Sequence, residues 1–191
     1  MSRRPPRLAI VPREVFDEIP AMLIGAHAAA AYAPARQTDD IDFIVEHARF
    51  AEAEAKLIAS GWKKTTSLGF PGTSLGLYGS AWQHENGMDL DIMSSPQAWC
   101  QEAFDASVSR DPNGARVLPL PYLILMKLDS ARGVDQGDLT RILGRLNDAE
   151  VERVVALVER HYTDRQVAED IRQYATIGRW EWETGRDRPG T

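Results

Sequence analysis

Short apolar runs alternate with longer runs of helical spacing along the first two thirds of the chain, the pattern of a mixed α/β arrangement. Met22-Leu23-Ile24 reads as a brief buried strand ended by Gly25. The five alanines within 26–32 predict a small helix directly after it, stopped by Pro34. Residues 41–45 read as the next strand. Over 48–60, Phe50, Ala53, Leu57 and Ile58 recur at helical spacing, and Gly61 stands where a C-terminal cap belongs. Residues 63–67, 74–82 and 88–93 read as three further strands. Turns at Phe70-Pro71-Gly72 and His84-Glu85-Asn86-Gly87 separate them, and Asn-Gly is a strong hairpin signal. A short helix over 13–19, closed by Pro20, is predicted before the first strand.

Beyond Arg116 the pattern is helical only. Pro119 and Pro121 suit a helix start, with the helix over 122–132. Another is predicted from Asp135 or Gln136 to about 146. Asn147-Asp148-Ala149-Glu150 resembles a capping box and opens a helix to His161; Thr163-Asp164-Arg165-Gln166 reads as a second box, opening a helix through Val167, Ile171 and Tyr174. The expected fold class is α+β: a mixed β-sheet flanked by helices, with an α-helical C-terminal segment. The expected organisation is a flexible arm over 1–12, an α/β core over 13–117, a helical segment over 118–180 packed on that core, and a flexible tail over 181–191.

Composition narrows the classes. With 191 residues, 43% hydrophobic and 26% charged, the chain has the balance of one ordinary globular domain. Twenty-two basic against twenty-eight acidic residues leave a net charge of −6, so no global positive field draws it to DNA or anionic lipid. Cys100 is the single cysteine, which excludes an internal disulfide framework and a multi-Cys zinc site; its uncharged neighbours Trp99 and Gln101 predict an inert, buried thiol. The apolar run at 8–11 is too short for a signal-peptide core, and no stretch approaches the ~18 apolar residues of a membrane span. A cytoplasmic protein without membrane contact is expected. His47, His84 and His161 are scattered and form no metal-ligand pattern.

The chemistry lies in two acidic strands. Residues two apart in a strand share a face, so Asp40 and Asp42 project together while Ile41 and Phe43 enter the opposite, buried face. Like charges side by side repel, and a folded chain tolerates them best when a cation bridges them. All-oxygen ligation suits Mg²⁺ or Mn²⁺. An isolated Asp-x-Asp is more often a solvated strand start. Here Met88-Asp89-Leu90-Asp91-Ile92 repeats the arrangement on a later strand, with Asp89 and Asp91 on one face. If the two strands are neighbours, a third carboxylate joins the pair. Asp91, deeper in its strand, is the preferred third metal ligand and Asp89 the alternate. Three carboxylates around two cations form the clamp used for in-line displacement at phosphorus. Gly25, between a strand and a helix, leaves backbone N–H groups that can cradle phosphate.

The order hhhG-helix, then Arg36-Gln37-Thr38-Asp39-Asp40-Ile41-Asp42-Phe43, then an acidic strand, resembles the nucleotidyltransferase superfold of polymerase-β type. Within that superfold it is most similar to the AbiEii/MenT-like group of small bacterial nucleotidyltransferases. Leu23-Ile24-Gly25-Ala26-His27-Ala28 resembles the group's first motif. Lys127, Arg132 and Asp135-Gln136-Gly137-Asp138 resemble its later motif, a Lys ahead of an Arg and a D-x-x-D. The resemblance spans residues 22–143. It implies a nucleotidyltransferase-like sheet and transfer of a nucleotidyl group from a nucleoside triphosphate, such as ATP, to an acceptor hydroxyl with release of pyrophosphate. By position, Asp40 and Asp42 bind the catalytic Mg²⁺ or Mn²⁺, and Asp91 completes the site. Gly25 faces the triphosphate with Ala26, Arg36 and Thr38 beside it, and Lys127 contacts nucleotide phosphates. Asp135 or Asp138 orients Lys127 or sits at the acceptor side.

The implied setting is toxin–antitoxin or phage defence, with tRNA or a small molecule such as an aminoglycoside as acceptor and a cognate antitoxin as partner. An RNA acceptor would need Lys63, Lys64, Lys127, Arg132, Arg141 and Arg145 to cluster on one face. From the residues themselves, Arg36 reads equally as a partner of Asp39, Asp135 as a helix N-cap and Lys127 as a snorkelling lysine. One departure stands out: the superfold usually places Ser directly after its first Gly, and Ala26 and His27 occupy that region here. This keeps open a catalytically degenerate member that binds nucleotide or a partner without turnover.

Overall fold

The strand Ile41–Val45 (β2) is the middle of the molecule. Ile41, Phe43 and Val45 are buried on one face and Ile44 on the other, so both sides of this strand are covered. The chain around it is a computed structural model that describes residues 13–36, 38, 40–106, 109–111, 114–130, 132–164 and 166–185. The arm at 1–12 and the end of the tail at 186–191 lie outside those residues.

Before β2 come helix α1 (Arg13–Phe16), strand β1 (Ala21–Leu23) and helix α2 (Gly25–Ala29). After it come α3 (Phe50–Ala59), β3 (Trp62–Gly69), β4 (Tyr78–His84), β5 (Asp89–Ser94), α4 (Ala98–Asp105), β6 (Ser109–Arg110) and β7 (Arg116–Val117). Among the described residues these strands form one seven-stranded sheet in the order β3-β4-β5-β2-β1-β7-β6. The Asn86-Gly87 hairpin makes β4 and β5 antiparallel neighbours, and β5 then lies parallel to β2. The register of that parallel pair sets Ile41 against Leu90, Asp42 against Asp91 and Phe43 against Ile92. It places apolar on apolar and acid on acid along the same rows.

The helical half consists of α5 (Leu120–Ser130), α6 (Gly133–Leu143), α7 (Asp148–His161) and α8 (Val167–Glu183). Helix α5 is its axis: residues 122–127 are buried without a break, as expected of a helix covered on all sides. It touches α2, α6 and α7. Helix α7 begins with the predicted capping box, Asn147 Oδ1 accepting from Glu150 N at 3.0 Å and Glu150 accepting from Asn147 N at 2.8 Å. Helices α6 and α8 cross at glycine: a Cβ on Gly178 would lie 2.0 Å from the Thr140 carbonyl oxygen and 2.8 Å from Gly144 Cα. Only residues without a side chain permit that approach.

The structure shortens and shifts several expected elements. The helix expected over 13–19 ends at Phe16, and the one expected over 26–32 is the single turn Gly25–Ala29. Ile58 faces outward, 64% exposed, while Ala53 and Leu57 carry the buried stripe of α3. The strand expected from residue 74 begins at Tyr78, because Ser74 and Leu75 donate their N–H groups to the Asp129 carboxylate on α5 instead of to a strand. The second capping box is not formed: Gln166 caps α8 without a side-chain bond, and Asp164 Oδ1 accepts from Gln166 N at 2.9 Å in a local turn. Helix α8 runs on to Glu183, so the tail does not begin at 181. Between β5 and residue 116, where the pattern predicts nothing, lie α4 and the β6–β7 pair.

Candidate active site

The carboxylates predicted to converge do so because β2 and β5 are neighbours in register. Asp42 and Asp91 are direct partners, and adjacent strands lie about 4.8 Å apart, so their side chains share one face of the sheet side by side. Asp40 stands exposed just before β2, and Asp42 and Asp91 are half-buried. Burial pushes the Asp42 carboxyl up to about 6, and the charge of Asp40 adds to it, while Arg132 and Lys127 oppose the rise. Asp91 is likewise pushed up to about 6, by burial first and then by the charges of Asp42, Asp40 and Asp89. Asp89 is exposed and accepts a hydrogen bond from Gln83 Nε2 at 3.0 Å, which holds it toward β4.

Gly25 closes one side of this group. It has φ +62°, and a Cβ there would lie 2.0 Å from Asp42 Oδ2. The turn between β1 and α2 thus rests directly on the Asp42 carboxylate, and any side chain at 25 would displace it. Ile24 N–H donates to the Asp42 backbone oxygen at 3.0 Å and fixes the same approach.

The opposite wall comes from α5 and α6. Lys127, only 4% exposed, gives Nζ to Asp135 Oδ1 at 2.8 Å and to Asp138 Oδ2 at 2.7 Å. Asp135 and Asp138, three apart, share one face of α6. Asp135 also accepts from Ser130 Oγ at 2.6 Å and from Arg132 Nε at 2.7 Å. Asp138 also accepts from Arg36 Nε at 3.3 Å and from Arg141 Nη2. Burial alone would raise both carboxyls. Burial is the largest single influence on each, but the Lys127 hydrogen bond and charge, together with Ser130 and Arg132 at Asp135 and with Arg141 and Arg36 at Asp138, outweigh it, and both lie below the usual carboxylate range. Among the described residues no buried side-chain nitrogen or oxygen lacks a partner.

Between these walls lies a cleft of about 590 Å³. Gly25, Ala26, Arg36, Thr38, Asp40, Asp42, Asp91 and Lys127 all line it; of the expected site residues, Asp138 stands behind the wall, reaching the cleft through Lys127 and Arg36. Two expectations change. Lys127 is a buried, doubly paired cation, not a snorkelling one. Asp135 lies in the first turn of α6 and not at its N-cap, which is Arg132. Arg36 pairs with Asp138; Asp39, its other expected partner, lies outside the described residues. Cys100 is buried, as expected, and burial pushes its thiol up to about 11. His27 does not line the cleft, and burial lowers its pKa.

Sequence reasoning missed the cleft's outer wall. The loop 70–77 is held over Met126 by Asp129, which accepts from Ser74 N and Oγ at 2.8 Å each and from Leu75 N at 3.2 Å. A charged residue inside an otherwise apolar helix was the available signal. Arg132, lining the cleft with Val134, enters the sequence reading only through the later motif and the basic set named for RNA.

The donor set fits a hard divalent cation in kind: Asp42 and Asp91 offer carboxylate oxygens in register, and the burial and neighbouring negative charge that push both carboxyls up are costs that such a cation relieves. The arrangement supplies a pair, not a finished cage: among the described residues no three His, Cys, Asp or Glu side chains stand together closely enough to hold a metal ion. Of the six basic residues named for RNA, Lys63 and Arg132 are exposed and the other four are engaged. Lys127 is buried, Lys64 pairs with Glu54 at 2.7 Å, Arg141 is bound to Asp138, and Arg145 stacks on Trp182 at 4.7 Å. No helix among the described residues is long and apolar enough to cross a membrane.

No family model matches the chain, and no curated protein sequence does. Solved structures similar to it include JHP933 from Helicobacter pylori, at 14% identity and a TM-score of 0.46, covering 90% of this chain and 87% of that one. The antibiotic-resistance factor ANT(2'')-Ia is similar at 17% identity and a TM-score of 0.43, over 89% and 87% of the two chains. Terminal uridylyl transferase 4 from Trypanosoma brucei, solved with bound GTP, is similar at 14% identity and a TM-score of 0.33, over 74% of this chain and 48% of that one.

Proposed function

We propose that this chain is a nucleotidyltransferase. In the reaction an acceptor hydroxyl oxygen bonds to the α-phosphorus of a nucleoside triphosphate. The bond from that phosphorus to the bridging oxygen breaks, and pyrophosphate leaves with the electron pair. The observation that carries the reading is the β2–β5 register, which sets Asp42 beside Asp91 on a cleft wall with Asp40 next to them and Gly25 against them. Asp40, Asp42 and Asp91 would hold Mg²⁺ or Mn²⁺, which supplies charge neutralisation at the phosphates and a more acidic acceptor hydroxyl. Asp91, beside Asp42 on the cleft wall, would be placed to take the hydroxyl proton. Gly25 lets the backbone approach the phosphates closely, in place of the hydroxyl that Ser would bring at position 26.

The acceptor is the finer question. The motif resemblance points to tRNA in a toxin–antitoxin or phage-defence setting, with a cognate antitoxin. The burial of Lys127 and the pairing of Lys64 with Glu54 and of Arg141 with Asp138 favour a small-molecule hydroxyl instead. The degenerate, binding-only reading draws on Ala26, which brings no hydroxyl, and on the incomplete metal cage. Incubation with each α-labelled triphosphate and Mg²⁺, with total tRNA or an aminoglycoside panel as acceptor, tests all three. Label transfer with stoichiometric pyrophosphate, lost in Asp42→Asn, is expected. Triphosphate binding without label or pyrophosphate release would leave only the binding reading.

A further inference from the structure

The cation expected to meet the nucleotide phosphates, Lys127, is already committed. Its ammonium is 4% exposed and bonded to two buried carboxylates. Four cations, Arg36, Lys127, Arg132 and Arg141, meet those two carboxylates. They are not equally open to solvent. The Arg36 and Arg141 side chains are 29% and 26% exposed, whereas that of Arg132 is 68% exposed. Arg132 gives only Nε to Asp135, and among the described residues its two terminal nitrogens have no bonded partner. It lines the same cleft as Asp40, Asp42 and Asp91, and of the positive charges acting on Asp42 its own is the largest.

Resting on the nucleotidyltransferase reading, we propose that Arg132 is the residue that grips the terminal phosphates of the triphosphate and then the departing pyrophosphate, and that buried Lys127 and Asp135 are the strut that aims it. A guanidinium held at Nε keeps its two outer N–H groups pointed as a fork, the geometry that matches two phosphate oxygens. The Lys127–Asp135 bond fixes the carboxylate, and the carboxylate fixes the guanidinium. The strut also explains a lysine buried without solvent. One wall then offers carboxylates to a divalent cation and the other a fork to an anion. A polyphosphate carrying a divalent cation satisfies both at once.

Calorimetric titration of inorganic pyrophosphate, with and without Mg²⁺, tests the assignment without requiring turnover. Wild type is expected to bind, Arg132→Ala to bind at least tenfold more weakly, and Arg132→Lys, which keeps the charge but not the fork, to fall between them. Arg172→Ala, on an exposed α8 pair with Glu152, is expected to bind as wild type. A thermal melt run alongside is expected to leave Arg132→Ala close to wild type, because the side chain is mostly solvated. Equal binding by wild type and Arg132→Ala would overturn the proposal, as would a wild-type protein that binds no pyrophosphate. The nucleotidyltransferase reading fails separately, if no label transfers from any triphosphate while Arg132-dependent pyrophosphate binding persists.

Discussion

At the scale of single residues, the site is made of charges placed where they are uncomfortable. Asp42 is raised to about 6 by burial and by Asp40. A group raised on folding stabilises the fold below its ordinary pKa and loses that contribution as pH climbs through its folded value. Ionised Asp42 is therefore a burden at pH 7.5, and Asp42→Asn is expected to add about 1–2 kcal/mol of metal-free stability there, read as a higher thermal midpoint. The gain should shrink between pH 6 and pH 4, as wild-type Asp42 protonates. Asp135 and Asp138, held low, lose their contribution as pH falls, but they do so in both proteins and cancel in the difference. Melts of both proteins across that range check it; a midpoint lowered by the substitution at pH 7.5 would mean that Asp42 holds the fold together. The acids were legible in the chain because Asp-x-Asp on a strand declares its face. The lock on Lys127 was legible only through the motif resemblance, which offers Asp135 or Asp138 as its partner; no spacing reports that both turn inward to the same ammonium.

At the scale of elements, local signals served where one segment decides its own conformation. Asn147 and Glu150 cap α7, and Asn86-Gly87 turns β4 into β5, because each needs only its nearest neighbours. Boundaries moved where a distant residue competes, as Asp129 does for the backbone of Ser74 and Leu75. The α6–α8 crossing is equally invisible locally: glycine inside a helix reads as a defect until its partner is known. Gly178→Ala would gain about 1 kcal/mol of helix propensity. The Cβ would meet the Thr140 carbonyl oxygen, however, and overpacking is expected to leave a net loss of about 1–3 kcal/mol. Chemical denaturation would show it as a lower midpoint with an unchanged slope. A variant as stable as wild type would mean that the helices separate at little cost.

At the scale of the whole molecule, the sheet and the helical bundle supply opposite halves of one cleft. The sheet brings carboxylates by register, and α5 with α6 brings cations by a buried ion-pair network. The order of motifs along the chain made that meeting foreseeable. The side of the cleft that each charge occupies depends on burial, which spacing does not carry. The account stands on Asp42 and Asp91 acting as one pair across neighbouring strands. Its most direct test is Mn²⁺ binding followed by electron paramagnetic resonance in wild type, Asp42→Asn, Asp91→Asn and Asp89→Asn at neutral pH. The account predicts stoichiometric binding by wild type and by Asp89→Asn, with a loss of at least tenfold in affinity when either Asp42 or Asp91 is replaced. Binding that survives in Asp91→Asn, or that wild type never shows, would contradict it.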